Sequence, residues 1–322
     1  MKVLLVRFDK IGDLIATLPV DQISPLQDDK YSVHWVVAHA VEPVIRHAKP
    51  ERSFSAITPT AKNFRRVLEE QMPDLVVSFY APWWLGFECW KAGVRFRVGR
   101  LSQWHSYFFF NRGLRQSRSK SEMHEADYNL ELLVSGLGLQ SEATPFLKLD
   151  ISPSRHLLEK FQLQEKNFIV IHPGMAGSAL NWPQSHYAEL IRQLVSQSTV
   201  VITGTKADAL FLTQLRPEFQ HHPKVRWLEN ELSFEDLLRV LKMAKGLVAP
   251  STGVLHLAVS LGTPSVGIYS PELPHSSKRW GPRGEKREIV KILEPKSASE
   301  PMSSISIESV AKALSEVAGM PS

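Results

Sequence analysis

The chain of 322 residues holds a single cysteine, Cys89, so an intrachain disulfide and a cysteine-rich zinc site are both excluded. Such sparing use of cysteine fits a reducing compartment. No apolar run approaches the roughly 18 residues of a membrane span. The opening Met1-Lys2-Val3-Leu4-Leu5-Val6-Arg7 has an apolar run of four. A secretory signal needs an apolar core of roughly 7–15 residues, so the expectation here is a buried strand. No Gly-x-Gly-x-x-Gly follows a strand, and P-loop, His-Glu-x-x-His and Gly-x-Ser-x-Gly patterns are missing. Hydride transfer, nucleotide hydrolysis and serine-hydrolase chemistry lose ground accordingly. Gly136-Leu137-Gly138 sits at a helix end without a third glycine and reads as a C-cap. The basic clusters lack the aromatic spacing of an RNA-recognition module, so no nucleic-acid partner is expected.

What is present is a 43% hydrophobic composition, enough for two ordinary cores in a chain of this length. Strand-like runs cover Lys2–Arg7, Val33–Ala38, Phe54–Ile57, Leu75–Phe79 and Phe96–Val98. A second set covers Phe168–Ile171, Val200–Thr203, Val225–Leu228, Leu247–Ala249 and Ser265–Tyr269. Helical periodicity fills the gaps, as in Phe64–Gln71, Glu122–Leu137, Ser185–Val195 and Ser233–Ala244. Near-continuous apolar strands alternating with helices predict parallel sheets covered on both faces. The expected fold is α/β, two doubly wound Rossmann-like domains facing across a cleft. The stretch Gly138 to Pro153 has two prolines and no clear period, which places the boundary near residue 150. The domains are then 1–150 and 151–303. An amphipathic tail, 304–322, is expected to pack back on the first domain.

Two turns in the second half are the strongest local signal. Ile169-Val170-Ile171-His172-Pro173-Gly174 leads through Gly177-Ser178 to Asn181-Trp182-Pro183 and a helix. Gly246 to Gly253, with Ser251 and Thr252, runs into a helix from Val254. Small and hydroxyl residues at a strand-to-helix junction leave backbone N–H groups and the helix dipole free to hold an anion such as a diphosphate. The first half has a different turn. Phe8-Asp9-Lys10-Ile11-Gly12 follows the first strand, and Asp13 is expected to open a helix over Leu14–Leu18. Asp13 then has two readings. One is a helix N-cap worth about 1 kcal/mol. The other is a general base for an attacking hydroxyl, worth about 10²–10⁴ in rate. Asp9 is a second choice. The net charge of +5 concentrates at Lys62, Arg65 and Arg66, between Arg95 and Lys120, and at Lys278 to Arg287. That excess is either plain solvated surface or an attraction for anions. Phe108-Phe109-Phe110, beside Trp104 and Tyr107 and near Arg112 and Arg115, reads as a membrane contact or as core.

The opening KVLLVRFDKIGDLIATLP resembles the first loop of glycosyltransferase family 9, the family of the lipopolysaccharide heptosyltransferases. The likeness continues through PDLVVSF (73–79), AGVRFRVG (92–99), HEADYNLELL (124–133), HPGMAGSALNWPQSHYAEL (172–190), STGVLHLAVSLGTPSVGIYSP (251–271) and RWGP (279–282). It therefore runs in order along nearly the whole chain. The resemblance implies a GT-B fold, a nucleotide-sugar donor on the second domain, an acceptor on the first, and inversion without a metal or a resident cofactor. It makes Asp13 the catalytic base. Gly174, Ser178, Asn181, Glu229, Ser251, Thr252, Gly253 and His256 fall on the donor side, with Glu231 as an alternative to Glu229 for the ribose hydroxyls. Trp280 would shape the donor cleft or be an ordinary buried aromatic. Lys10, Gly12, Lys62, Arg65 and Arg66 fall on the acceptor side, where the basic residues would meet anionic groups. His256 would reach a phosphate or support the turn.

Two departures from the family pattern bear on the donor. Many heptosyltransferases carry an acid before Thr-Gly, where this chain has Ser251, and Lys-Arg before Trp-Pro, where it has Leu180-Asn181. They leave ADP-heptose as one candidate donor among nucleotide sugars. They also motivate the alternative of a non-catalytic nucleotide-sugar-binding protein. Nucleotide-sugar epimerisation on the same fold is a third reading. The expected partners are a nucleotide-sugar donor and a lipid-linked or oligosaccharide acceptor. The expected location is the cytoplasm, with peripheral contact at the inner face of the membrane.

Overall fold

The computed structural model describes residues 1–80, 82–140, 145–175 and 180–320. The chain divides into two compact units, Met1–Leu147 and Lys148–Ser322. The first carries strands β1 (Lys2–Arg7), β2 (Ser32–Ala38), β3 (Phe54–Ile57), β4 (Leu75–Ser78), β5 (Phe96–Arg100) and β6 (Arg112–Leu114). They lie in the order β3-β2-β1-β4-β5-β6 with every neighbouring pair parallel. The central strands are apolar on both faces because helices cover both. Leu5, Val6, Trp35, Val36, Val37 and Leu75 to Val77 are fully buried.

Two helices of the first unit start where a side chain satisfies one of their first N–H groups. Thr60 Oγ1 accepts from Asn63 N at 3.2 Å and opens helix Ala61–Gln71, whose Phe64, Val67 and Leu68 form its buried stripe. His124 Nδ1 accepts from Ala126 N at 3.1 Å, so the last helix of this unit is Glu125–Leu137 and not a longer one from Glu122. It ends at Gly138 with φ +66°, the left-handed C-cap expected from sequence. Gly136 lets this helix settle on the sheet: a Cβ there would stand 2.4 Å from Val98 Cγ1.

The second unit repeats the plan with β7 (Phe168–Ile171), β8 (Thr199–Gly204), β9 (Val225–Glu229), β10 (Gly246–Pro250), β11 (Ser265–Ile268) and β12 (Val290–Leu293). The order is β9-β8-β7-β10-β11-β12, again all parallel. The closing helix Ile307–Ala318 buries Val310, Ala313 and Leu314 in the same core as Ile169, Val248 and Val266. Trp182 Nε1 donates to the Ile305 carbonyl at 2.9 Å and fixes the approach to that helix. Its apolar face is therefore used within the second unit, where the sequence suggested a return to the first. The edge strands β6 and β12 were not anticipated; both are partly exposed and lack a continuous apolar run. In each unit the strand order reverses beside the first strand, between β1 and β4 and between β7 and β10. Loops at the carboxyl ends of those pairs are where such sheets bind ligands.

Candidate active site

At the first switch point β1 ends on Arg7 and β4 leads into Phe79. The chain turns through Phe8 and Asp9 into a short helix, Ile11–Ile15, whose N-cap position is taken by Lys10. Asp13 is thus the third helical residue. It does not open a helix at Leu14, and it is not the cap, so the capping explanation for it falls away. Its carboxylate instead meets Arg7, which is only 3% exposed. Arg7 Nη2 donates to Asp13 Oδ1 and, at 2.8 Å, to Asp9 Oδ2. Arg7 Nε donates to Asp9 Oδ1 at 2.5 Å, and Nη1 to the Phe79 carbonyl at 3.3 Å.

The backbone of Asp13 is held as well. Thr17 Oγ1 donates to the Asp13 carbonyl at 2.6 Å, and Asn129 Nδ2 donates to Thr17 Oγ1 at 2.9 Å. Asn129 Oδ1 in turn accepts from Arg118 Nη1 at 3.0 Å, and Arg118 pairs with Glu125, both side chains almost sealed from solvent. A polar chain thus links the first turn of helix Glu125–Leu137 to the turn that carries Asp13.

These surroundings set the acidity of Asp13. Burial raises its pKa from 3.8 to about 6; Arg7 pulls it down, while the charges of Asp9 and Glu125 push it up. Burial also works against charge on Arg7, but Asp9 and Asp13 outweigh it and the guanidinium stays firmly protonated. Burial draws Arg118 down to about 10, with Glu125 opposing. A carboxylate that titrates near 6 is ionised at neutral pH and still basic enough to take a proton from a sugar hydroxyl.

Sequence signals had not singled out Arg7, Arg118, Glu125 or Asn129. A charged residue closing an apolar strand was the available clue for Arg7. HEADYN contains Glu125 and Asn129 but says nothing of their contacts.

The acceptor-side candidates separate. Phe8 packs edge-on against Phe64 with ring centroids 6.2 Å apart, so helix Ala61–Gln71 borders the Asp13 turn. On that helix Lys62 and Arg66 are exposed. Arg65 is committed to the buried Glu88, giving it Nε at 2.8 Å and Nη2 at 2.7 Å. Lys10 is exposed at the turn, and Gly12 lies inside the short helix.

At the second switch point, β7 leads to the buried His172, whose Nδ1 lies 3.0 Å from Thr203 Oγ1 and whose pKa burial lowers. Gly174 is a close-approach glycine: a Cβ would stand 2.2 Å from Asp208 Cγ. Ser178 lies outside the described residues. Asn181 serves the loop, donating to the Pro173 carbonyl at 2.6 Å and accepting from Trp182 N at 2.8 Å and Tyr187 Oη at 3.2 Å.

After β10, Ser251 contacts the buried Tyr269, whose hydroxyl donates to the Trp280 carbonyl at 2.8 Å. Thr252 is the N-cap of helix Gly253–Ser260, yet no side chain caps that helix. Thr252 Oγ1 is buried without a hydrogen-bond partner among the described residues. The first N–H groups of a helix have no intrahelical acceptors, so this end presents donors and a positive dipole with no side-chain cap among the described residues. His256 is buried in the following turn. Glu229 closes the edge strand β9. Its Oε2 accepts from Arg216 Nη2 at 2.5 Å and Trp227 Nε1 at 3.0 Å, beside a cleft of about 670 Å³ that Glu231 also lines.

Solved structures with this architecture include glycosyltransferases and, at a lower TM-score of 0.50, a UDP-GlcNAc 2-epimerase from Methanocaldococcus jannaschii. A glycosyltransferase of family 9 from Veillonella parvula matches with a TM-score of 0.82 at 17% identity, over 98% of this chain and 97% of that one. The E. coli ADP-heptose lipopolysaccharide heptosyltransferase II matches with a TM-score of 0.80 at 18% identity, over 99% and 98%. These likenesses define the fold as GT-B. In sequence, a Haemophilus influenzae protein whose name says glycosyltransferase and no more is 27% identical over 98% of this chain and 95% of its own length. The model of glycosyltransferase family 9 (heptosyltransferase) matches residues 72–306, and the chain belongs to that family. It is a glycosyltransferase.

Proposed function

We propose that this chain moves a heptose-like sugar from a nucleoside-diphosphate donor to a lipopolysaccharide-core or related surface-glycan acceptor, inverting the anomeric centre without a metal. The observation that carries this is Asp13, half-buried at the first switch point and gripped by Arg7. In the reaction, Asp13 takes the proton of an acceptor hydroxyl as that oxygen attacks the anomeric carbon. The bond to the diphosphate breaks on the opposite face, which inverts the centre. The arrangement needs one base and no enzyme nucleophile. Lys10, Lys62 and Arg66 meet anionic groups of the acceptor.

The second unit stabilises the leaving diphosphate. The N–H groups of Gly253 and Val254 and the hydroxyl of Thr252 donate to its oxygens, a preorganised set that does the work of a cation. Gly174 gives a close backbone approach after β7, and Ser178 is a further hydroxyl donor by its place in the sequence. Glu229 Oε1 accepts the ribose hydroxyls, since both protein donors use Oε2. Asn181, Ser251 and His256 shape this pocket from behind.

ADP-heptose heads the list of donors because of the family. Leu180-Asn181 supplies no cation before Trp182, so the diphosphate relies more on the helix end here. A panel of nucleotide sugars with a core-glycan acceptor, run with wild type and Asp13→Asn, tests the reading. Transfer by wild type and its collapse in the variant are expected. Equal turnover in both would overturn the assignment of the base.

A further inference from the structure

Two short helices of the first unit, Trp83–Lys91 and Trp104–Phe109, are packed against each other at Gly86, where a Cβ would stand 2.8 Å from Phe109 Cβ. Phe109 is in ring contact with Phe87 at 5.8 Å and with Trp90 at 6.5 Å. Arg97 Nε donates to the Phe109 carbonyl at 2.7 Å and closes the end of the second helix. So rigid a base presents its large apolar side chains outward. Trp83, Trp90, Trp104, Tyr107 and Phe108 are 60%, 55%, 76%, 55% and 71% exposed. Of the Phe108-Phe109-Phe110 run, only Phe108 faces water freely; Phe110 is core. Isolated exposed aromatics need no explanation, but five on one helix pair do.

The charge along this stretch of chain is almost all of one sign. Residues 82–121 contain eight Lys and Arg and one acid, Glu88, which is buried and paired with Arg65. Lys91, Arg95, Arg112 and Arg115 are exposed. The guanidinium carbons of Arg112 and Arg95 lie 3.8 Å and 4.9 Å from the centroid of the Phe96 ring, which holds both groups at this surface.

A second copy of the chain is a poor occupant. An isologous contact would set like charges against each other. A bilayer surface rich in anionic lipid answers both features at once. Trp and Tyr rings favour the headgroup level, and each nearby Lys or Arg adds attraction to negative headgroups.

We propose that the outward aromatic face of helices Trp83–Lys91 and Trp104–Phe109, rimmed by Lys91, Arg95 and Arg115, docks on an anionic lipid surface. This deepens the transfer reading, on which it rests for its purpose: the base would be presented to an acceptor carried in that surface. Its test needs no donor or acceptor, so the two can fail separately.

The full chain is sedimented with phosphatidylcholine vesicles containing about one third phosphatidylglycerol, and with pure phosphatidylcholine vesicles. Wild type and Asp13→Asn are expected to bind the first and not the second, with binding lost as salt rises. Trp104→Ser with Phe108→Ser, and separately Lys91→Glu with Arg115→Glu, are each expected to lower partitioning by about tenfold or more with Tm unchanged. Brominated phosphatidylglycerol chains should quench wild-type tryptophan fluorescence, a readout that needs no variant. Absence of wild-type binding, absence of quenching, or full binding by both double variants overturns the proposal. So does a change of solution mass in the variants with vesicle partitioning unaltered, which would mark a face for self-association.

Discussion

The two units share one strand order and place opposite chemistry at the same point of it. After β1 the first unit spends its switch point on a buried Arg7 between two carboxylates. After β10 the second leaves a helix end uncapped and a threonine hydroxyl unpartnered. Topology supplies the crevice in both cases. The few residues beyond the strand end decide whether it carries a carboxylate–guanidinium cluster, the proposed base, or an uncapped helix end, the proposed diphosphate site. Both sites also run against stability. One raises the pKa of an acid that is ionised at neutral pH, and the other leaves a buried hydroxyl without a partner among the described residues, which fits the proposal that their partners arrive with substrate.

That contrast can be broken most sharply at Asp13. Asp13→Asn is expected to lower kcat by about 10²–10⁴ while ADP affinity, read by calorimetry, stays as in wild type. A fall in ADP affinity instead would merge the two sites.

The pH profile comes next. The rate should rise from acid and level off with an apparent pKa near 6, as Asp13 ionises. Asp9→Asn should move that limb to lower pH, because the Asp9 charge raises the Asp13 pKa. The same shift has a sign for folding. A folded pKa above the unfolded 3.8 means the native state binds the proton more tightly, so this contribution weakens as pH rises from 3.8 to about 6. Asp13→Asn should therefore raise Tm at pH 7, with the gain shrinking toward pH 4 in a thermal-melt series.

A smaller effect is expected at the other site. Thr252→Val keeps the shape and removes one donor. ADP binding should weaken by about tenfold, and the free protein should be no less stable, since the hydroxyl has no partner to lose.

The smallest changes separate the basic residues of one helix. Lys62→Ala and Arg66→Ala should raise the acceptor KM a fewfold and leave Tm alone. Arg65→Ala should lower Tm by leaving Glu88 buried and unpaired, which calorimetric melting would show.

Much of this was legible before the structure. The central strands were read to within a residue or two because burial on both faces leaves a continuous apolar run. The edge strands β6 and β12 lack that run, being partly exposed. Asp13 was identified from its turn, but the start of its helix was read three residues late, since Ile11-Gly12 resembles a loop and Lys10 is an unusual cap. The resemblance places Asn181 and Arg65 on the donor and acceptor sides, Arg65 with plain surface as its alternative; in the structure each is engaged by neighbours far along the chain or across a turn. Such pairings leave no periodic trace.

The sequence by itself determined two parallel α/β units and pointed to the strand-to-helix turns and the carboxylate on which the proposed function rests. These follow from local patterns of burial and turn chemistry, which repeat every two to four residues. Only the tertiary structure decided that Arg7 grips Asp13, that Glu125 and Asp9 lift its pKa, and that Thr252 is left without a partner. It also sorted the aromatic run into core and surface. Each of those depends on contacts between distant segments, and an electrostatic environment is a sum over such contacts that no single stretch of chain contains.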